Sequence, residues 1–268
     1  MKIATLQMNT QDDKAANIRQ AIALIDAAVA AEQPDLVVLP ETFTYMGGTV
    51  ESRRANAETF PEGEGYQAMQ AQARKHGIFL HAGSMTEAAG EKCYNTTLVF
   101  DRSGKEIARY RKIHLFDVEV PGGMSYRESD TMMGGREVVT YNLEGVTVGC
   151  AICYDLRFPE LFRRLQEQGA QIIVLPAAFT LQTGKDHWEV LLRARAIETQ
   201  TYMVACGQVF AHDGGTRLCY GHSMIIDPWG NKITDCSDAV TYGTAQIDIG
   251  YLGKVRAGMP VAQHHVLA

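Results

Sequence analysis

The sequence contains no apolar run of the roughly 18 residues that a membrane-spanning helix needs, so no membrane span is expected. Its first residues, MKIATLQMN, carry one lysine and then alternate apolar with polar side chains. They lack the continuous apolar stretch and small-residue cleavage site of a secretory leader. They read as a first strand, and the cytosol is the expected compartment. A basic stripe is also missing. The net charge is −6 and the pI near 5.8, so nucleic acid is not an expected partner. An acidic surface still admits an anionic substrate, because a few local cations reverse the field inside a cleft. H-E-x-x-H is absent, and the eight histidines and remaining cysteines offer no second ligand pair to match Cys150-x-x-Cys153. No metal is expected. No Pro-, Gly- or Ser-rich linker and no internal repeat divides the chain, so residues 1–268 read as a single domain. At 268 residues and 46% apolar composition, it can bury a core without staples. In a reducing compartment the six cysteines are expected to be thiols.

Strand and helix patterns alternate along the chain. Residues 2–8 read as a strand. Residues 14–31 place Ile18, Ala21, Ile22, Ile25 and Ala28 at helical spacing. DLVVLP (35–40) is a short apolar run stopped by proline, as a buried strand is. A helix over 64–76 and a strand over 78–84 follow. YNTTLVF (94–100) and KEIARYRK (105–112), joined by DRSG, read as a hairpin. Residues 117–136, with PGG and MGG, read as a long polar loop. VVTYNL (138–143) and VTVGCAI (146–152) form a further hairpin. The remaining elements are a helix near 158–168, a strand at 171–176 (QIIVLP), a helix over 186–200, and strands at 201–208, 222–233 and 240–249. Interleaved strands and helices indicate a layered α/β architecture, and the hairpins make its sheets mixed.

Three residues at strand ends can carry chemistry. Cys153, in GCAICYDLRFPE, lies between an apolar strand and a helix that Pro159 would open. A helix N-terminus favours a thiolate there, although a buried cysteine can equally serve as a small hydrophobe. A thioredoxin-like pairing with Cys150 fits less well, because Cys150 falls inside the strand. Glu41 follows DLVVLP directly. It is either a solvated loop residue or a carboxylate in a stiff apolar setting that makes it a usable base. Lys112 closes a strand in YRKIHLFD, where an ordinary surface lysine is the plain alternative.

At these residues the chain resembles the nitrilase superfamily of carbon–nitrogen hydrolases. The resemblance is carried in order by LPETF around Glu41, YRKIHLFD around Lys112, CYDLRFPEL around Cys153, residues 175–198, and YGHSMIIDPWG (220–230). It implies an α/β fold, a four-layer αββα sandwich with two mixed β-sheets. It also implies a Glu-Lys-Cys triad: Glu41 as general base and acid, Lys112 as oxyanion stabiliser, Cys153 as nucleophile. A second carboxylate orients the lysine in such proteins. Glu128 matches it, with Glu119 as competitor. The Tyr154 N–H is the implied second oxyanion donor. Tyr154-Asp155 after the nucleophile looks like the amidase side of the superfamily, closest to Nit1/Nit2-type amidases.

The implied reaction is hydrolysis of a small carboxylate-bearing carboxamide to acid and ammonia through a thioester, without metal or organic cofactor. Deaminated glutathione is the first expected substrate. The ω-amides 2-oxoglutaramate and 2-oxosuccinamate, or an N-carbamoyl amine, are the alternatives. A substrate carboxylate calls for a cation; Arg157, Lys185 and Arg195 are candidates, with Phe179, Thr180 and Trp188 as pocket lining. Structural pairs such as Arg157–Asp155 and Arg195–Glu198, and core roles for the aromatics, are the competing readings. Lys185-Asp186 departs from the Gly-Pro usual in relatives. A homodimer or larger assembly, with MPVAQHHVLA (259–268) packed on a neighbour, is also implied.

Overall fold

The strand Lys2–Gln7 shows how the layers arise. Successive side chains of a strand point to opposite faces, and here neither face meets solvent: Ile3, Ala4, Thr5 and Leu6 are all fully buried. Ile3 joins Leu36, Val38, Val148, Ile172 and Val174 in one apolar cluster, while Ala4 and Leu6 join Val37, Leu80, Ala21, Ile25 and Met69 in another. The first cluster lies between two sheets and the second lies between a sheet and its helices. Burial on both faces is why Leu36–Val38 and Ile172–Ala177 read as unbroken apolar runs.

The computed structural model describes residues 1–120 and 124–266. Residues 121–123 of the 117–136 stretch and the last two of the C-terminal segment lie outside the described residues. The first sheet has seven strands, in the order Thr241–Gln246, Lys2–Gln7, Leu36–Val38, Phe79–His81, Lys92–Phe100 and Met85–Ala89, with Glu106–Arg111 also paired to Lys92–Phe100. The second has six: Lys232–Asp235, Met224–Ile226, Tyr202–Gly207, Ile172–Ala177, Val146–Cys150 and Thr140–Leu143. Each combines parallel and antiparallel pairs. Helices Lys14–Glu32 and Glu64–His76 cover the first sheet. Helices Pro159–Glu167 and Leu181–Thr199 cover the second. The result is the four-layer αββα sandwich.

Local chemistry sets the helix ends. Asp13 caps the first helix by accepting from the Ala16 N–H at 2.9 Å. Gly77 closes the second in a left-handed conformation, and Pro159 opens the third. The sheets are tied across their interface by Thr5 Oγ1, which donates to Ala205 O at 3.1 Å.

Several stretches depart from the sequence expectation, among them an unexpected short helix at Val50–Ala55, a strand at Met85–Ala89 and a helix at Ile249–Gly258. Residues 117–136 are not a continuous loop: Asp117–Val120 and Met124–Arg127 pair as a hairpin, followed by a 3-10 turn at Glu128–Asp130. The helix expected over 186–200 starts earlier, at Leu181. A further hairpin, Val209–His212 with Arg217–Tyr220, has too few apolar residues in alternation to stand out.

Candidate active site

Parallel strands end where the chain turns into a loop or helix, and ligands collect at those ends. Leu36–Val38 runs out at Leu39-Pro40 and delivers Glu41. The loop beyond is held by the neighbouring segment: Ser84 Oγ accepts from the Thr42 N–H at 3.0 Å. Gly83 makes this possible. It has φ +46°, and a side chain there would begin 2.0 Å from the Pro40 carbonyl oxygen.

The Glu41 carboxylate, only 4% exposed, is fully engaged. Oε1 accepts from Asn95 Nδ2 at 2.8 Å and from Lys112 Nζ at 3.1 Å. Oε2 accepts from the Ala178 N–H at 2.7 Å. Lys112 follows the strand Glu106–Arg111 and is 2% exposed. Its ammonium donates to Glu41 and to both oxygens of Glu128, at 3.1 and 2.8 Å. Glu128 opens the 3-10 turn and accepts the Phe116 N–H at 2.7 Å. Glu119, its competitor in sequence, is exposed on the hairpin.

Cys153 begins a 3-10 turn just past Val146–Cys150, with φ +46°. A side chain other than glycine is costly in that conformation, and Asp155 holds the turn in place. Asp155 Oδ2 accepts from the Ile152 N–H at 2.8 Å and the Tyr110 hydroxyl at 2.6 Å. Its Oδ1 accepts the His114 N–H at 3.0 Å and lies 2.7 Å from the His114 ring. Asp155 is therefore occupied by Tyr110 and His114 and does not pair with Arg157. The Tyr154 N–H has no hydrogen-bond partner among the described residues. Cys150 is sealed in the core, so the two sulfurs of the C-x-x-C face different surroundings; all six cysteines are unpaired.

Glu41, Lys112, Glu128, Cys153, Tyr154 and Asn95 line one cavity of about 490 Å³. Burial alone works against a charged Lys112. The charges of Glu128, Glu41 and the Cys153 sulfur outweigh it and hold the ammonium well above the ordinary lysine range. For Cys153 the balance runs the other way: burial first, then the Glu41 charge, push the thiol well above its ordinary value, with Lys112 opposing them. Burial and the Glu41 charge thus oppose the thiolate that the turn-to-helix position favours.

The substrate-contact expectations divide. Phe179 and Thr180 line the cavity. Trp188 does not. It is fully buried, donates from Nε1 to His222 O at 2.8 Å, and packs on Phe179 from behind. Lys185 points to solvent with 73% of its side chain exposed, beside Asp186. Arg157 stays off the cavity wall, with its guanidinium over the Tyr154 and Phe179 rings and 3.4 Å from the His187 ring. Arg195 is structural, donating to Leu156 O and to Glu198 at 2.9 Å. Besides Lys112, the cations that line the cavity are Arg53, Arg127 and Arg217. Sequence reading missed all three, and Asn95 as well. Asn95 lies inside YNTTLVF, where the alternating pattern of a strand turns it inward beside Glu41.

The sequence matches the carbon–nitrogen hydrolase family over residues 2–257. It is 41% identical to a deaminated glutathione amidase of Synechocystis, with 98% of this chain and 97% of that protein covered. It is 37% identical to the omega-amidase NIT2 of Danio rerio, covering 98% and 93%. Among solved structures, Saccharomyces cerevisiae Nit3, a member of branch 10 of the nitrilase superfamily, superposes with a TM-score of 0.89 at 30% identity, covering 98% of this chain and 96% of that one. The NitFhit protein of Caenorhabditis elegans gives 0.92 at 38% identity, with 98% of this chain spanning 64% of that longer one. With a family match along nearly its whole length and relatives this similar over the same span, the chain belongs to the carbon–nitrogen hydrolases.

Proposed function

We propose that the protein is an amidase that opens a small carboxylate-bearing amide through a thioester on Cys153. The observation that carries this reading is the convergence of a thiol, a carboxylate and an ammonium from three distant segments on one cavity. Glu41 takes the thiol proton as sulfur attacks the amide carbon. The oxyanion is held by the Lys112 ammonium and the Tyr154 N–H. Collapse breaks the C–N bond, and Glu41 returns the proton to the departing nitrogen. Glu41 then deprotonates a water, which attacks the thioester, releases the acid and regenerates the thiol. Glu128 keeps Lys112 charged and aimed. Asn95 holds the Glu41 carboxylate in place by donating from Nδ2 to its Oε1.

Deaminated glutathione is the first substrate to test, on the similarity to amidases of that name. Its amides are secondary, so hydrolysis releases an amine; the ammonia expected above belongs to the ω-amide alternative, supported by the similarity to NIT2. Mass spectrometry of the protein mixed with each amide should trap an acyl adduct on Cys153 and none on C153A. An adduct on another residue, or full turnover by C153A, would remove the nucleophile. Self-association as a homodimer or larger is part of the reading. It is supported by large apolar side chains left in solvent at Val190 (67% exposed), Ile197 and Trp229 (55% exposed). Sedimentation of the full chain tests it.

A further inference from the structure

Lys112 and Cys153 stand on different sheets, yet an oxyanion formed at the sulfur must meet both. Lys112 follows the strand Glu106–Arg111 of the first sheet, and Cys153 follows Val146–Cys150 of the second. Pairing within the first sheet sets Lys112 in its own layer: its backbone N–H donates to Asn95 O at 2.9 Å. Its ammonium bonds Glu41 and Glu128, which sets it against two carboxylates and not against the sulfur. A third carboxylate, outside the cavity wall, ties the lysine's segment to the nucleophile's turn. Asp155 is fully buried, lies two residues past Cys153 and does not line the cavity.

The bonds of Asp155 straddle both residues. Oδ2 accepts from the Ile152 N–H, one residue before Cys153, at 2.8 Å, and from the Tyr110 hydroxyl, two residues before Lys112, at 2.6 Å. Oδ1 accepts from the His114 N–H, two residues after Lys112, at 3.0 Å, and lies 2.7 Å from Nδ1 of the same residue. Capping the nucleophile turn needs only the bond from Ile152. The contacts with Tyr110 and His114 leave that turn and grip the lysine's segment on both sides. Neither segment can slide past the other without leaving a buried carboxylate oxygen short of a donor, which is costly. A second strap runs alongside. The His114 ring stacks on Phe158 with centroids 3.7 Å apart and planes 5° from parallel, and Phe158 meets the Tyr154 ring edge-on at 5.2 Å.

Resting on the amidase reading, we infer that Asp155 is a positioning residue: through Tyr110 and His114 it pins the Lys112 segment of one sheet to the Cys153 turn of the other, and so sets where the ammonium stands relative to the sulfur. It acts on the reaction only through these neighbours.

Asp155→Asn would set an amide N–H against the backbone N–H of Ile152 or His114 and unsettle the turn itself. Tyr110→Phe and His114→Phe cut the pin and spare the Ile152 bond, and H114F keeps an aromatic ring to stack on Phe158. The full chain, wild type and Y110F, is assayed on deaminated glutathione and 2-oxoglutaramate. Misplacement of the ammonium by an ångström should lower kcat by roughly 10- to 100-fold, with KM changed by less than about threefold. In a K112M background the same substitution should cost less than about threefold, because the group it acts through is gone. The pH midpoint for alkylation of Cys153 by iodoacetamide should also rise in Y110F, since the Lys112 charge opposes protonation of the thiol. A Y110F enzyme with wild-type kcat, or an equal loss with and without Lys112, overturns the pin and leaves the amidase reading standing. A wild type that hydrolyses neither amide removes the amidase reading, and the alkylation midpoint then decides the pin by itself: an unmoved midpoint overturns it as well. Circular dichroism guards against a folding defect; if Y110F misfolds, H114F is held to the same outcomes.

Discussion

The Lys112 ammonium lies 2.8 Å from Glu128 Oε2 and, on its other side, 3.1 Å from Glu41 Oε1. One buried cation thus neutralises two carboxylates, of which only Glu41 transfers a proton in the proposed mechanism. Glu128 supplies a charge that favours the ammonium form of Lys112, which in the proposed mechanism must persist while Glu41 exchanges its proton. Replacing Lys112 with Met should lower kcat by roughly 10²–10³-fold, the usual loss for an oxyanion donor. Glu128→Gln should retain more activity than K112M, and it should lower the pH of the alkaline limb of the rate profile, because it removes a charge that raises the Lys112 pKa. An unchanged alkaline limb in E128Q would dissociate the two residues.

Glu41 both opposes and enables Cys153. Burial and the Glu41 charge hold the sulfur protonated. Glu41→Gln should therefore move the thiol titration to lower pH while abolishing turnover, since the base is gone. Ultraviolet thiolate absorbance against pH, compared between E41Q and wild type, reads the first effect. A shift to higher pH in E41Q would contradict the electrostatic account.

His81 gives the protein an acid sensitivity unrelated to catalysis. It is fully buried against Tyr141, its Nε2 has no partner among the described residues, and burial draws its pKa from 6.5 down to about 3. Between those values the unfolded chain binds a proton that the folded chain does not. This contribution to stability is present above about pH 6.5 and is lost as pH falls toward 3, by up to about 1.4 kcal/mol per pH unit. Urea unfolding between pH 7 and 5 should show His81→Leu with a flatter acid slope than wild type.

Trp188 and Lys185 should part company on substitution. Trp188→Ala removes a fully buried ring and should cost about 3–5 kcal/mol of stability. Lys185→Ala removes a solvated side chain and should leave stability within about 0.5 kcal/mol. Chemical denaturation of both variants decides this; a KM defect in K185A would return that lysine to the substrate's surroundings.

The layers were legible because double-sided burial writes itself as apolar runs closed by Pro, as in DLVVLP and QIIVLP, and Glu41 and Cys153 were legible as polar residues placed directly after such runs. Trp188 misled, because a large aromatic near a cleft reads the same whether it faces the ligand or supports the wall. Arg53 and Arg217 were invisible for a different reason. They sit in a short helix and a short hairpin with weak periodicity, and tertiary contacts such as the hydrogen bond from Gly48 to Asp213 bring these distant segments together. Asp155 looked like a partner for its neighbour Arg157; its actual partners, Tyr110 in the strand Glu106–Arg111 of the other sheet and His114 just beyond it, carry no local signal.

Glu41, Asn95 and Lys112 issue from the first sheet, whereas Cys153 and Ala178 issue from the second. The proposed nucleophile and its proton acceptor are therefore aligned by the seam between two leaves of the sandwich, and by no shared backbone. Sliding one leaf against the other by an ångström would silence the enzyme while each leaf kept its hydrogen bonds. Gentle heating should accordingly extinguish activity before circular dichroism registers any melting, and substitutions at the seam, such as Thr5→Val, should widen the gap between those two temperatures.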